Sequence, residues 1–196
     1  MSKTTIVCLL TIIVIVSASC RSDLSRSSNG SPNLNQTSTP GRKSPQIKVT
    51  SSAFQSGGMI PKEHTCDGAN ISPQLAWDTV PENTKSFALI VDDPDAPSRT
   101  WVHWIVFNIP PNTRALTENV PVGATLAGGA KQGTNDFPKA GYGGPCPPNG
   151  SHRYYFKLYA LDTELGLDSS ATKDQVLKAM EGHVLAEGEL MGKYQR

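Results

Sequence analysis

Carboxylate and imidazole side chains occur close to the ends of three apolar segments of this 196-residue chain. The acidic pair Asp92 and Asp93 follows one apolar run, His103 lies near the start of a second, and His152 comes just before a third. An imidazole gains a proton near neutral pH, and a neighbouring carboxylate orients it and favours its charged form. If these segments align at one end of a sheet, the residue types predict a site for an anion such as a phosphate.

A loop rich in glycine and proline, residues 141–150, ends two residues before His152. Glycines allow sharp backbone turns and leave N–H groups free to approach an oxyanion, because no Cβ is in the way. Prolines fix the backbone that follows. We therefore interpret this loop as one wall of a pocket, with its glycine N–H groups among the expected anion donors.

The same residues would also suit an enzyme. Asp93, His103 and His152 match the composition of a metal site with two histidines and one carboxylate, or of an acid/base pair acting on phosphate esters. The chain contains no G-x-S-x-G nucleophile motif, and Ser98 has no distinctive sequence context. We predict a binding protein that needs no metal or other cofactor, with hydrolysis as the less favoured alternative.

The remaining polar residues near these segments are predicted to be structural. Asp92 is expected to be a solvated charge at a strand end, and Asp95 either caps a turn or joins the site. Arg153 is expected to form an ion pair that does not touch ligand. His64 and His183 match no site pattern.

Alternating apolar residues predict that most of the chain forms strands. The candidate strands are residues 47–54, 87–91, 101–109 and 154–161, and residues 101–109 are apolar on both faces. A strand of that kind is expected to be central and covered on both sides. Several strands joined by long Gly- and Pro-rich connections favour a mainly β fold, an antiparallel β-sandwich.

The C-terminal part of the chain is expected to add peripheral helices. Thr172 and Gln175 form a capping-box pattern ahead of an apolar stripe, which predicts a helix that ends or bends at Gly182. A second short helix is expected over residues 184–194.

Residues 1–20 match a secretory signal, with Lys3 followed by an apolar run over residues 6–16 and small residues before Cys20. The run is too short for a permanent span, although a short membrane anchor is an alternative. Cys20 resembles the lipidated cysteine of a bacterial lipoprotein signal, except that Ser17 replaces the usual leucine. We expect lipidation at Cys20 and a membrane-anchored envelope protein. Ordinary cleavage, giving a secreted or periplasmic protein, is the alternative.

Two further regions follow the signal. Residues 21–45 are rich in Ser, Thr, Asn, Pro and Gly, which predicts a flexible tether reaching roughly 25–30 Å. Residues 46–196 form the predicted folded domain, with 13 Lys and Arg against 16 Asp and Glu. No clustered basic surface is evident in the sequence, so nucleic acid is not an expected partner.

The folded domain contains two of the four cysteines, Cys66 and Cys146. In an oxidising compartment two cysteines are expected to pair, and this bridge would close a loop of about 80 residues. Two free buried thiols are the alternative. A metal site is less favoured, because neither cysteine belongs to a C-x-x-C pair.

Several motifs in residues 47–196 resemble the phosphatidylethanolamine-binding protein family, and two of them resemble its bacterial branch, often called Raf-kinase-inhibitor-like. The family motifs are Asp93-Pro-Asp-Ala-Pro97, Val102-His103 and Gly144-Pro-Cys-Pro-Pro-Asn-Gly-Ser-His-Arg-Tyr154. Those of the bacterial branch are Cys66-Asp-Gly-Ala-Asn-Ile-Ser-Pro73 and Glu181-Gly-His-Val-Leu-Ala-Glu-Gly-Glu-Leu190.

The resemblance implies an antiparallel β-sandwich with a small anion-binding pocket at one end. By motif, the pocket residues would be Asp93, His103, Pro147, His152 and Tyr154. The expected ligand is a small anion or a phosphorylated group such as a phospholipid head group, with regulation of a partner protein as a further role. A protease- or kinase-inhibitor-like protein acting through its surface is the alternative.

Overall fold

The computed structural model describes residues 46–137 and 140–196. The predicted signal, the tether and Cys20 lie outside the described residues. Within those residues, no helix is both long enough and apolar enough to cross a membrane.

Two antiparallel sheets build the domain. The first has three strands in the order β1-β2-β5, where β1 is Lys48–Thr50, β2 is Leu75–Asp78 and β5 is Ala115–Leu116. The second has five strands in the order β6-β4-β3-β7-β8, and these are β3 Ser86–Asp93, β4 Trp101–Ile109, β6 Lys131–Gln132, β7 Ser151–Leu161 and β8 Val184–Gln195. The predicted mainly β, antiparallel fold class is confirmed.

The five-stranded sheet is covered on both faces, because its central strands carry apolar side chains on both sides. In β4, Trp104 and Val106 belong to one buried cluster, which also includes Trp77 of the other sheet. Ile105 and Phe107 belong to a second buried cluster on the opposite face. The prediction that residues 101–109 form a central, doubly covered strand is confirmed.

Helix α1, Lys173–Met180, covers the second cluster with Val176 and Met180. Thr172 and Gln175 form the predicted capping box, in which each side chain meets the other's backbone N–H. Gly182 then has φ of 79°, a left-handed conformation that suits glycine and separates the helix from the next strand.

The second helix predicted over residues 184–194 is wrong, because this segment is strand β8. It pairs with β7 along almost its whole length, from Ser151 opposite Gln195 to Leu161 opposite Val184. Buried positions in β8 follow a period of two, as a half-covered strand requires. At Gly188 an added Cβ would lie 2.0 Å from the Ile47 carbonyl oxygen, so only glycine fits this close backbone approach.

Asp92 is not the solvated charge that the sequence predicted. It has 0% exposure, and its carboxylate accepts hydrogen bonds from Lys157 Nζ at 2.9 Å and Lys173 Nζ at 2.5 Å. Asp92 follows Ala88 and Ile90 in the alternation of β3, so it lies on the sheet face that α1 covers. Two lysines, one from β7 and one from α1, compensate the buried charge there.

Candidate functional site

The strand pairings bring the predicted site residues to one end of the five-stranded sheet. Asp93 ends β3 and pairs with Trp101 at the start of β4, which places it near His103. The preceding residue of β3 pairs with Tyr155, which directly follows Tyr154 and lies three residues after His152, near the start of β7. Antiparallel neighbours place the end of β3 beside the beginnings of both β4 and β7.

A buried, hydrogen-bonded aspartate–histidine pair lies at the centre of this arrangement. The Nδ1 atom of His152 lies 2.7 Å from Oδ2 of Asp93, and both residues are less than one-tenth exposed. The other carboxylate oxygen of Asp93 accepts the backbone N–H of Asp95 at 2.8 Å. Both oxygens are therefore engaged, which fixes the carboxylate and the imidazole that donates to it.

His103 is held differently, by a backbone carbonyl. Its Nδ1 lies 2.6 Å from the Gly143 carbonyl oxygen, and its ring packs edge-on against Phe137 and Tyr154 at 5.2 Å. Burial lowers the pKa of His103 below its ordinary value, and the Gly143 carbonyl and Asp93 oppose this shift only in part. His103 is therefore a neutral imidazole at neutral pH, with Nδ1 as the donor.

Tyr154 carries a buried hydroxyl that has no hydrogen-bond partner among the described residues. Burial is the main cause that raises the pKa of this phenol well above its ordinary value; the charge and the close carboxylate of Asp93 add to the shift, and the backbone of Cys146 opposes it. An unpaired buried hydroxyl is costly, and native proteins rarely retain one without a function or an additional partner. Trp77 Nε1 is the other such atom in the described part of the chain, but only the Tyr154 hydroxyl lies near the Asp93–His152 pair.

The predicted disulfide joins Cys66 to Cys146, with the two Cα atoms 5.4 Å apart. The loop around it is tied down further, because Cys66 N donates to the Pro145 carbonyl at 3.1 Å. The buried Pro147 follows Cys146 in this loop, immediately ahead of the segment that leads to His152. The loop thus forms a fixed wall beside the strand that carries His152 and Tyr154.

The expectation that the glycine N–H groups of this loop contact an anion is wrong for the glycines whose partners the structure gives. Gly143 N donates to the His103 carbonyl at 2.9 Å, and Gly144 N donates to Asn70 Oδ1 at 2.8 Å. Gly144 is required for a different reason, since an added Cβ would lie 2.5 Å from the His64 carbonyl oxygen. These glycines permit close packing between loops, and their N–H groups are used inside the fold.

An exposed ion pair lies next to the site. Arg153 donates to both carboxylate oxygens of Asp95, at 2.9 Å through Nε and 2.7 Å through Nη2. These hydrogen bonds lower the pKa of Asp95 to about 2. The predicted structural ion pair of Arg153 is confirmed, and Asp95 is its partner, bracing the β3–β4 connection against β7.

Two residues that the sequence reasoning missed support His103. Asn135 is buried, and its side-chain amide donates to the carbonyls of His103 at 3.1 Å and Gly141 at 2.6 Å. The ring of Phe137 packs on the His103 imidazole, and Phe137 N donates to Asn135 Oδ1. No local pattern in the sequence singles out either residue, since their roles depend on the fold of a long connection.

The other two histidines lie outside this arrangement, as predicted. His64 Nδ1 lies 3.0 Å from the Ile71 carbonyl oxygen, and His183 pairs with Asp162 at 2.8 Å. Across residues 46–137 and 140–196, no group of three or more His, Cys, Asp or Glu side chains is arranged to hold a metal ion.

Three concave surfaces lie elsewhere on the domain. A groove of about 690 Å³ lies where residues 46–49 cross β7 and β8, and an apolar groove of about 320 Å³ lies beside β5. A third, of about 440 Å³, adjoins the start of α1. These three grooves are not lined by the site residues Asp93, His103, His152 and Tyr154, so the volume of a groove does not identify the candidate site. The candidate site is identified instead by its buried polar side chains.

The fold and the site together define a class of β-sandwich protein with a histidine-, aspartate- and tyrosine-lined site at one end of its larger sheet. The sequence model of the phosphatidylethanolamine-binding protein family matches residues 50–195. The chain belongs to this family, which confirms the resemblance seen in its motifs.

Relatives and solved structures agree with that assignment. A UPF0098 protein of Methanothermobacter thermautotrophicus is 57% identical over 76% of this chain and 99% of its own length, and another from Aquifex aeolicus is 50% identical over 76% and 89%. The crystal structure of a phosphatidylethanolamine-binding protein homologue from Chlamydia trachomatis has a TM-score of 0.70 and 45% identity, covering 78% of this chain and 99% of that chain. Escherichia coli YbcL, described as a member of the mammalian family, has a TM-score of 0.72 and 39% identity, covering 77% and 99%.

Proposed function

We propose that this protein binds a small anion with a phosphate-like group, without turnover, at the site formed by Asp93, His103, His152 and Tyr154. The observation that carries the proposal is the buried, unpartnered Tyr154 hydroxyl next to the Asp93–His152 pair, judged among the described residues. A ligand oxygen accepting from this hydroxyl would satisfy it and remove the cost of its burial.

The histidine contacts make binding dependent on protons. The Asp93 carboxylate and the Gly143 carbonyl accept at Nδ1 of His152 and His103, so each Nδ1 carries a hydrogen. In a neutral imidazole the remaining Nε2 is then an acceptor. A phosphate group can pair with it only if the imidazole takes up a proton or the phosphate keeps one of its own.

The site supplies little fixed positive charge. The guanidinium of Arg153 is already paired with Asp95, and Asp93 carries a negative charge inside the site. The ligand therefore gains its attraction from protonated histidine and from the Tyr154 hydroxyl. A tiny ligand with few contacts must also offset the cost of being ordered, so we expect weak affinity.

Binding is favoured over hydrolysis by the partners of the two histidines. Among the described residues, the side-chain hydrogen bonds of His103 and His152 go to Gly143 and Asp93, and neither imidazole hydrogen-bonds to a serine, threonine or cysteine side chain. An activated nucleophile would need such a contact. A hydrolase using Asp93, His103 and His152 with water is the competing function, and the test below includes it.

The test is calorimetric titration with orthophosphate and with O-phosphorylethanolamine between pH 8 and 6. We expect tighter binding at lower pH and net proton uptake, seen as a binding enthalpy that differs between buffers of different ionisation enthalpy. Tyr154→Phe should weaken binding by about tenfold, because it removes one hydrogen bond to a charged group. His152→Ala should remove most of it.

The matched control is His183→Ala, which removes a histidine from an exposed aspartate pair remote from the site. Binding that is unchanged in both Tyr154→Phe and His152→Ala would contradict the proposed site. Release of phosphate from O-phosphorylethanolamine, lost in His152→Ala, would replace binding with hydrolysis.

We also propose that the protein is exported and anchored through Cys20, and that it acts on a partner protein from the envelope. The signal pattern of residues 1–20 supports export, and a surface disulfide suits an oxidising compartment. In a host with lipoprotein processing, the full chain should enter the membrane fraction, and Cys20→Ser should release it. A wild-type protein found only in the soluble fraction would favour simple secretion.

A further inference from the structure

The Cys66–Cys146 disulfide lies at the surface of the domain. Both cysteines are exposed, although each belongs to a loop that is otherwise hydrogen-bonded into the fold. The proposed anion site does not use either sulfur. A small thiol in solution can therefore reach this disulfide without any unfolding.

The charges around the two sulfurs are unequal. Arg196 Nη1 lies 3.6 Å from Cys146 Sγ, and backbone hydrogen bonds with Gly150 hold Arg196 in place. Asp67, the residue after Cys66, accepts from Arg196 Nε at 3.1 Å and from the Tyr194 hydroxyl at 2.8 Å. A neighbouring guanidinium stabilises a thiolate. Cys146 is therefore favoured as the sulfur that carries the negative charge.

We propose that this disulfide is a thiol-exchange site at which a small thiolate attacks Cys66 and Cys146 is the leaving group. The incoming sulfur bonds to Cys66 Sγ, the Cys66–Cys146 bond breaks, and its electron pair goes to Cys146 as a thiolate beside Arg196. A second thiolate then attacks the mixed disulfide and releases Cys66. Two external thiols are oxidised to a disulfide and the protein pair is reduced by two electrons.

Which of the two sulfurs is attacked depends on which one is the better leaving group. In thiol–disulfide exchange, the sulfur that makes the more stable thiolate leaves faster. Arg196 provides that stabilisation at Cys146, whereas the Asp67 carboxylate beside Cys66 in the sequence is engaged by Arg196 and Tyr194.

We expect the two loops to stay together when the disulfide is open, because backbone and side-chain hydrogen bonds also join them. In the disulfide-bonded structure, Cys66 N donates to the Pro145 carbonyl at 3.1 Å and Gly144 N donates to Asn70 Oδ1 at 2.8 Å. These hydrogen bonds do not depend on the sulfurs. Cys146 therefore remains close to a modified Cys66 and can displace the added thiol, so the exchange is reversible.

The first experiment maps the attacked sulfur in the oxidised full chain. The protein is exposed briefly to 2-mercaptoethanol, quenched with N-ethylmaleimide, and analysed by peptide mass spectrometry. We expect the mercaptoethanol adduct on Cys66 and the maleimide on Cys146. The reverse or an even distribution would overturn the proposal, as would a disulfide that reacts only after unfolding in guanidinium.

The second experiment tests the role of Arg196 through the rate of reduction. A guanidinium at this distance near the surface is expected to lower the pKa of the leaving thiol by about one unit. With a Brønsted coefficient of about one half, that difference in pKa corresponds to a difference of about threefold in the rate of reduction. Arg196→Gln should react about threefold more slowly, Arg196→Lys should restore most of the rate, and 1 M salt should shrink the difference.

Arg114→Gln is the matched control, because the Arg114 guanidinium bonds only to backbone carbonyls of its own loop among the described residues. Its rate should equal that of the wild type. An Arg196→Gln rate equal to wild type would overturn the assignment of the leaving group. A slower rate that neither Arg196→Lys nor salt affects would show a structural role for Arg196 in place of an electrostatic one.

Discussion

Replacing Asp92 with asparagine tests whether the buried charge cluster stabilises the domain. Asp92→Asn keeps the shape of the side chain but leaves Lys157 and Lys173 without their shared counter-ion. Removing one partner of a fully buried ion pair costs about 3–5 kcal/mol. The two lysine side chains are 31% and 22% exposed and keep part of their hydration, so we expect a smaller loss of about 2–3 kcal/mol.

The free energy of unfolding of the full chain is measured by urea denaturation at one pH. Asp162→Asn is the matched control, because it makes the same chemical change in an exposed pair with His183 and should cost under about 1 kcal/mol. Asp92→Asn combined with Lys173→Met should cost less than the sum of the single changes, since the two share one contact. Equal losses in Asp92→Asn and Asp162→Asn would refute the reasoning.

Three further predictions concern stability. Burial lowers the pKa of His103 below 6.5, so protonation of this imidazole favours the unfolded chain. The contribution of His103 to the free energy of unfolding is complete above pH 6.5 and declines as the pH falls below that value. In urea titrations across pH, His103→Gln should flatten this decline, and an unchanged slope would count against the prediction. Replacing both Cys66 and Cys146 with serine should lower the free energy of unfolding by about 4 kcal/mol, given their separation of 80 residues, and a loss under about 1 kcal/mol would contradict this. Gly188→Ala should lower the midpoint of thermal unfolding strongly, because the added Cβ would meet the Ile47 carbonyl. Gly166→Ala should leave the midpoint nearly unchanged, because nothing lies within 4 Å of a Cβ there. Similar midpoints in the two variants would be inconsistent with the close packing at Gly188.

Some of the fold could be predicted because the deciding signal is local. The apolar residues of β4 alternate on both faces, and the capping box of α1 is contained within four residues. Strand β8 was missed because its inward positions include Gly188 and Gly192, which carry no hydrophobic signal. Their meaning appears only when the backbone at Ile47 and the side chain of Ile60 approach them.

For the candidate site too, features set by nearby residues could be predicted from the sequence, whereas features set by distant segments could not. Asp93, His103 and His152 could be grouped from their motifs and from the expected strand ends. The burial of Asp92 could not, because the sequence of β3 does not reveal that α1 covers that face of the sheet. The partners of the loop glycines also come from distant segments, as with Asn70 at Gly144.

The chain enters the domain far from the candidate site, and this decides how the protein can be mounted. The backbone N–H of Ile47 donates to the carbonyl of Glu187 in β8, and Glu187 pairs with Tyr159 of β7. His152, near the other end of β7, belongs to the candidate site. Tyr159 lies seven residue steps along the strand from His152, about 23 Å at 3.3 Å per residue. A sensor chip, a bead or a fused carrier attached upstream of Gln46 would hold the domain by one end of its longest hairpin, leaving the opposite end open to ligand in the flowing solution.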